Sequence, residues 1–356
     1  MPAREAAAQF KIWAAKNGML GDDRIIEDRE TELDRSLIGE RRAAAADILQ
    51  RRHVTFIGSN EDTNEVVVYT NTRVLQKELD SLPKEIDDIK VTYLKAAAAT
   101  VTGRPTPSIG IPPHHQRSHR YTCGTSIYIG NMIGAGTLGA LVHGTDQVLY
   151  GLSNNHVTGG CNYAEPALPI MAPGSLDVKA GGLDPFTIGH HFQCMPFVDG
   201  AELNVDAQSN LDAAIFRIKD EGLVSSMQRS IYDTPTLTMD HMDGMEVQKV
   251  GRTTGITQGR IRATSAGAED VEYFIEETGV KKVVFFEPMF VITGSPNAFA
   301  EMGDSGSLVT HLSSDGNRYA IGIVIAVSRD GALTYATPIR KVLEYFDVVL
   351  VGGHHI

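Results

Sequence analysis

The chain has 356 residues, a formal net charge of −12 and only three cysteines, Cys123, Cys161 and Cys194. The acidic balance speaks against nonspecific nucleic-acid binding, which needs a basic surface, and no uninterrupted apolar run approaches the roughly 20 residues of a membrane-spanning helix. The length suits two or three compact units of about 100–200 residues each. Few and odd-numbered cysteines, with no basic-then-apolar leader, point to a reducing, cytoplasmic compartment.

Residues 1–52 read as a helical arm. Residues 6–15 are rich in alanine, and Gly18 supplies a stop. Asp22 or Asp23 is positioned to cap a second helix carrying Ile25, Leu33 and Leu37, and Gly39 breaks it before 41–52 resumes. The arm is either a docking or oligomerisation element or a helical extension packed on its neighbour. Residues 53–98 read as a small β-β-α-β accessory unit: β-branched runs at 54–57 and 66–69, a helix over 72–82 ended by Pro83, and a third strand at 89–94. Nothing there assembles a catalytic group, so a regulatory or docking role is expected. Residues 99–120 form a Pro-rich linker through Pro105, Pro107, Pro112 and Pro113. His114, His115 and His119, like the pair His190-His191, lack acidic or cysteine partners at ligand spacing. No metal or other cofactor is expected.

From 121 to 356, short β-rich runs alternate with Gly-rich turns. Residues 138–142 and 147–152 form a hairpin that delivers His156 in Ser153-Asn154-Asn155-His156-Val157. Asp212 opens the apolar run 213–218, where a carboxylate needs a donor such as an imidazole N–H. The segment 159–197, rich in Gly and Pro, reads as loops. Gly303-Asp304-Ser305-Gly306 leads directly into an apolar run. A serine hydroxyl is a poor nucleophile unless a base stands beside it and N–H groups face the oxyanion it creates. Gly303 and Ser305 are the candidate N–H donors. A second barrel is expected over 245–337 and a closing helix over 338–346, with Pro338 at its start.

The blocks around His156, Asp212 and Ser305 resemble those of chymotrypsin-fold, trypsin-like serine proteases. The segment Gly251-Arg252-Thr253-Thr254-Gly255 is similar to one in bacterial secreted members, and Gly136-Thr137-Leu138-Gly139-Ala140 is similar to the narrow-leaf group of trypsin-like proteins. The resemblance covers about 121–347. It implies a mostly β fold with two antiparallel six-stranded barrels and a catalytic set of His156, Asp212 and Ser305 in the crevice between them. It also implies an ion pair between Arg252 and the buried Asp304, and a substrate pocket with Phe299 near its base and Ile325, Ala326 and Val327 as a wall. With no acidic residue at that base, a small or medium apolar side chain is expected before the cut.

The expected activity is therefore that of an intracellular serine endopeptidase acting on a protein or peptide, with residues 1–98 available to a regulatory partner or a second copy of the chain. Two other classes stand beside it. One is a catalytically inactive trypsin-like scaffold that binds a protein partner. The other is a small-ester hydrolase, whose Gly-x-Ser-x-Gly elbow would need a strand–elbow–helix setting that 303–307 lacks.

Overall fold

Six strands of the C-terminal half close on themselves. The computed structural model describes residues 1–101, 115–178, 186–275 and 279–356. Within it, Glu246–Gly251 pairs with Gly255–Ser265, which pairs with Phe290–Gly294, then Thr334–Pro338, Arg318–Ser328 and Leu308–Leu312, and the last returns to Glu246–Gly251. Alternation along these strands sends Val247, Ile261, Ile292, Val309 and Ile321 into one buried cluster.

The other half of the expected pair is a curled sheet and not a closed ring. Its eight strands run in the order Val348–Leu350, Ala140–Gly144, Leu149–Ser153, Ala214–Ile218, Phe186–Cys194, Pro169–Ala172, Ser126–Ile129 and Gly136–Thr137. The segment expected as loops over 159–197 contributes two of them. Phe186–Cys194 pairs with Ala214–Ile218 on one side and Pro169–Ala172 on the other. Its inward positions Ile188 and His191 are separated by glycine and a second histidine, so the apolar alternation is hidden. The helix Ile339–Phe346 does not end the chain. Val348–Leu350 follows it and pairs with Ala140–Gly144, stitching the C-terminus to the first sheet.

The N-terminal part is continuous with the closed barrel. Val54–Asn60 pairs with Glu65–Thr70 and also with Gly255–Ser265, through Gly58 opposite Ser265 and Ser59 opposite Thr264. Ile89–Lys95 adds to Glu65–Thr70 in parallel. The helix Ala3–Lys16 lies on this sheet, and Phe10, Trp13, Leu33 and Leu49 share a core with Ile57, Val66, Val68 and Val91. Most of the Pro-rich 99–120 linker falls outside the described residues.

Two local expectations are corrected. The second arm helix spans only Glu32–Ser36, capped by Thr31 in a capping box with Asp34. Residues 25–31 before it form no helix, and Arg24 at their head is buried against the Ala268 carbonyl and Asp270. The helix expected over 72–82 is reduced to Gln76–Leu79, because Asn71 and Thr72 give their N–H groups to the carbonyls of His53 and Arg52. Among the described residues no helix is long and apolar enough to cross a membrane.

Phe10 is fully buried between the arm and the sheet. Phe10→Ala should lower the stability of the N-terminal core by about 3–5 kcal/mol, measured by urea unfolding with Trp13, the chain's single tryptophan, as the reporter.

Candidate active site

Strand register brings His156 and Asp212 together. Leu149–Ser153 and Ala214–Ile218 are antiparallel with Ser153 opposite Ala214, so the chain leaves one strand and enters the other at the same edge. His156 sits on the short helix Asn155–Thr158 just beyond the first, and Asp212 lies just before the second. The His156 backbone N–H donates to Asp212 Oδ1 at 3.1 Å, and His156 Nδ1 lies 2.5 Å from Asp212 Oδ2. Asn154 Nδ2 donates to the Asp212 carbonyl at 2.6 Å, fixing the loop that carries the carboxylate. Asp212 is fully buried, and a charge there needs donors on both oxygens.

One of those donors was not anticipated. Tyr273, from the strand Glu269–Ile275 that pairs with Val280–Phe286 beside the closed barrel, donates its hydroxyl to Asp212 Oδ2 at 2.9 Å, and its ring lies edge-on to the His156 imidazole at 5.8 Å. Burial, reinforced by the neighbouring Asp212 charge, pushes the Tyr273 phenol well above its ordinary value, so it remains a donor. The sequence signal was limited to a tyrosine at an inward position between Val271 and Ile275, where its hydroxyl requires an acceptor.

Ser305 lies in the loop before Leu308–Leu312. It lines one cleft with His156, Tyr273, Gly303, Met302, Cys161, Tyr128, Met132, Ile133 and Ile275. Ser305 and the imidazole face this shared cleft without a hydrogen bond between them. Around Ser305, the N–H groups of Asp304, Gly306 and Ser307 donate to the carbonyls of Glu301, Val324 and Asp304. The N–H groups of Gly303 and Ser305 have no protein partner among the described residues. The Met302 carbonyl accepts from Thr253 Oγ1 at 2.8 Å. Because a trans peptide points its C=O and N–H in opposite directions, this contact turns the Gly303 N–H away from Thr253. Gly303 has φ of +97°, and a Cβ there would meet Thr253 Oγ1 at 2.6 Å and Arg252 Nη1 at 2.7 Å, so the position requires glycine. From the other sheet, Thr137 donates its N–H to the Ser305 carbonyl and its hydroxyl to the Gly303 carbonyl, each at 2.9 Å.

Asp304 is completely buried, and its counter-ion is not Arg252. Lys249 Nζ lies 3.1 Å from Asp304 Oδ2, and both side chains are fully buried. The backbone N–H groups of Thr253 and Thr254 donate to Oδ1 at 2.8 and 3.2 Å, while Thr254 Oγ1 and the Glu301 N–H donate to Oδ2 at 2.7 and 3.1 Å. Arg252 instead pairs with Asp177 of the first half, Nε to Oδ2 at 2.7 Å with a second contact from Nη2. The geometry explains the exchange. Lys249 is opposite Val309 in the barrel ladder and points inward beneath the serine loop. Arg252 stands at the turn beyond that strand, where its longer side chain spans to Asp177. Gly251 lets the carboxylate close in, since a Cβ there would lie 2.3 Å from Asp304 Oδ1.

The expected pocket is also corrected. Ile325 and Ala326 belong to the main apolar core, and Phe299 and Val327 to the core of the closed barrel. None of the four lines the cleft that holds Ser305 and His156. The strand that carries Ile325, Ala326 and Val327, Arg318–Ser328, is covered at Val327 by the strand Ala99–Thr100.

Burial acts to raise the Asp304 carboxyl. The Lys249 ammonium outweighs it together with the Thr254 hydroxyl and the Glu301 and Thr253 N–H groups, holding the carboxyl below its ordinary value. The stability from this ionised group is therefore complete above its unfolded value of about 3.9 and is lost as pH falls through the lower folded value. Lys249→Met strands the carboxylate and should destabilise the protein by about 3–5 kcal/mol at neutral pH. The deficit should narrow towards about pH 4, where protonation removes the unpaired charge; urea unfolding of both proteins across pH checks this.

Over residues 193–338 the sequence matches the family described as the Nal1 C-terminal domain. It is similar to the protein NARROW LEAF 1 of Oryza sativa subsp. japonica, 27% identical over 210 residues, covering 53% of this chain and 33% of that one. The match thus spans a third of the length of that curated relative. Among solved structures it is similar to Thermobifida fusca Protease A, with 20% identity over 65% of this chain and 98% of that one and a TM-score of 0.41. It is also similar to the Nocardiopsis protease NAPase, with 18% identity over 64% of this chain and 97% of that one and a TM-score of 0.41. The fold is chymotrypsin-like, a closed six-stranded barrel beside a half-barrel sheet, and the chain resembles both the bacterial serine proteases of that fold and the narrow-leaf proteins.

Proposed function

We propose that the chain is a serine endopeptidase in which His156, Asp212 and Ser305 form the catalytic set and the N–H groups of Gly303 and Ser305 form the oxyanion site. The observation that carries this reading is an imidazole oriented by a fully buried carboxylate, in the same cleft as a serine whose loop holds two unused N–H donors. Ser305 Oγ attacks the peptide carbonyl carbon, forming a C–O bond, while its proton passes to His156 Nε2. The carbonyl electrons move onto oxygen, which accepts from the two N–H groups, each worth about 3 kcal/mol to such a transition state. Collapse breaks the C–N bond as His156 returns the proton to the leaving amine. Water then attacks the acyl-serine ester, again with His156 taking and returning a proton, and releases the acid and the free hydroxyl.

Tyr273 is a positioning residue in this scheme, because its hydroxyl holds Asp212 and its ring lies edge-on to the imidazole that Asp212 orients. The cleft lining favours an apolar residue before the cut: Met132, Ile133, Ala135 and Ile275 surround it, and no acidic side chain is among its lining residues. A reducing, cytoplasmic setting fits Cys123, Cys161 and Cys194, which form no disulfide.

Ser305→Ala should abolish both covalent labelling by a fluorophosphonate and peptide hydrolysis while leaving the melting temperature near that of the wild type. A wild type that is neither labelled nor active at about pH 8 would instead support the inactive scaffold that binds a partner. Tyr273→Phe keeps the ring and removes one hydrogen bond to a charged acceptor, a loss of about 1.5–3 kcal/mol. We expect kcat to fall roughly tenfold or more at unchanged KM; a rise in KM alone would indicate that the tyrosine only packs the cleft.

A further inference from the structure

The strand Ala99–Thr100 fills the space between the edges of Arg318–Ser328 and Glu269–Ile275, the second of which supplies Tyr273, Phe274 and Ile275 to the cleft. Thr100 lies opposite Val327 and Ala99 opposite Ser328, antiparallel to Arg318–Ser328, while Thr100 is also level with Glu272, parallel to Glu269–Ile275. The Val101 N–H donates to the Glu272 carbonyl at 3.0 Å, and the Arg329 N–H donates to the Ala98 carbonyl at 3.2 Å. Val101 itself lines the cleft that contains Ser305 and His156. The chain's own segment therefore runs into the candidate active site as an extended strand hydrogen-bonded on both sides.

An extended peptide gains affinity and register by adding its main chain to a free sheet edge. Beside this cleft, the edge at Val327 and the edge at Glu272 are both already occupied. The occupant is held largely by its main chain: Ala96, Ala97, Ala99 and Thr100 bring little side-chain surface although all are buried, and Thr100 Oγ1 adds one bond to the Glu272 carbonyl at 3.4 Å. Its outer anchor is Asp330, which accepts from Lys95 Nζ at 3.0 Å and from the Ala97 N–H at 3.2 Å. Its inner anchor is the N-terminal sheet: the Ala96 N–H donates to the Thr70 carbonyl at 3.1 Å, and Thr55 Oγ1 donates to the Ala96 carbonyl at 2.8 Å.

We propose that residues 95–101 are an intramolecular competitor for the substrate main chain, holding the peptide-binding edge of the cleft closed and placing its release under the control of the N-terminal unit. This rests on the peptidase reading. A small acylating probe does not need a strand edge, whereas an extended peptide does, so the two substrates separate the hypotheses.

The test compares full-length wild type with Thr100→Pro, which removes a strand N–H and is poorly tolerated between two paired edges, and with Asp330→Ala, which releases the Lys95 end. Two rates are followed for each, labelling by a small fluorophosphonate and hydrolysis of extended peptides of eight or more residues, of the order needed to span a strand. The expected result is a fivefold or larger rise in kcat/KM for peptides in both variants, with labelling changed less than twofold. A synthetic peptide of sequence Lys-Ala-Ala-Ala-Ala-Thr-Val, added in trans, should reverse the gain. Equal changes in the two rates, no gain on peptides, or a gain that the added peptide leaves intact overturns the proposal. Should Thr100→Pro fail to fold, Asp330→Ala and the added peptide still decide it. Absence of labelling in the wild type and in both variants would instead overturn the peptidase reading.

Discussion

A carboxylate with no access to water sits directly behind the candidate nucleophile, and much of the site's geometry follows from satisfying it. Asp304 collects a lysine, a threonine hydroxyl and three backbone N–H groups. The turn over 251–255 and the loop over 301–307 must therefore adopt a mutual position in which all five donors converge, because a buried unpaired charge costs far more than any one of these hydrogen bonds. That convergence brings Thr253 to the Met302 carbonyl, and this contact in turn directs the Gly303 N–H. The direction of the Gly303 N–H is thus a consequence of where the charge is neutralised.

The two halves are held across the crevice by polar contacts as well as apolar ones. Tyr273 reaches from the strand Glu269–Ile275 to Asp212 of the half-barrel, Arg252 reaches to Asp177, and Thr137 clamps the serine loop from the opposite side. Each contact has a partner of low exposure, where hydrogen bonds are directional and their loss is costly. An imidazole supplied by one half and a hydroxyl supplied by the other can keep a fixed relation only if the halves do, and these contacts provide that constraint.

What the sequence made legible were features confined to a few consecutive residues. The serine turn, the histidine after a strand and the aspartate before one each carry a local signal, and the strand register then unites His156 and Asp212. The helix start at Pro338 and the stop at Gly18 were readable for the same reason. The partner of Asp304 was not, because it required knowing which of two cations three positions apart points inward. Strand periodicity does hold that information. Val247 and Lys249 share a face, and a lysine on a buried face implies a carboxylate beside it. The contiguous Gly-Arg-Thr-Thr-Gly block pointed to Arg252 instead. Tyr273, the covered edge at Val327 and the strand Phe186–Cys194 depended on long-range pairing that no short window contains.

The choice of Lys249 as counter-ion bears on where control can reside. A cation carried on a strand of the same barrel is in place as soon as that barrel folds, so the serine loop needs no newly freed chain end to order it. A site whose loop is organised from the outset has to be governed through access or through the cleft walls. The N-terminal unit is physically coupled to those walls. Its sheet is hydrogen-bonded to the closed barrel through Gly58 and Ser59, and its last strand continues by way of Ala96 to the cleft edge at Val327 and Glu272. Displacing the Ala99–Thr100 strand would break main-chain bonds to both neighbouring strands and none of the bonds that Asp304 accepts. Loop order and cleft access are therefore separable in this fold, the first fixed by a buried charge and the second by a short strand of small residues.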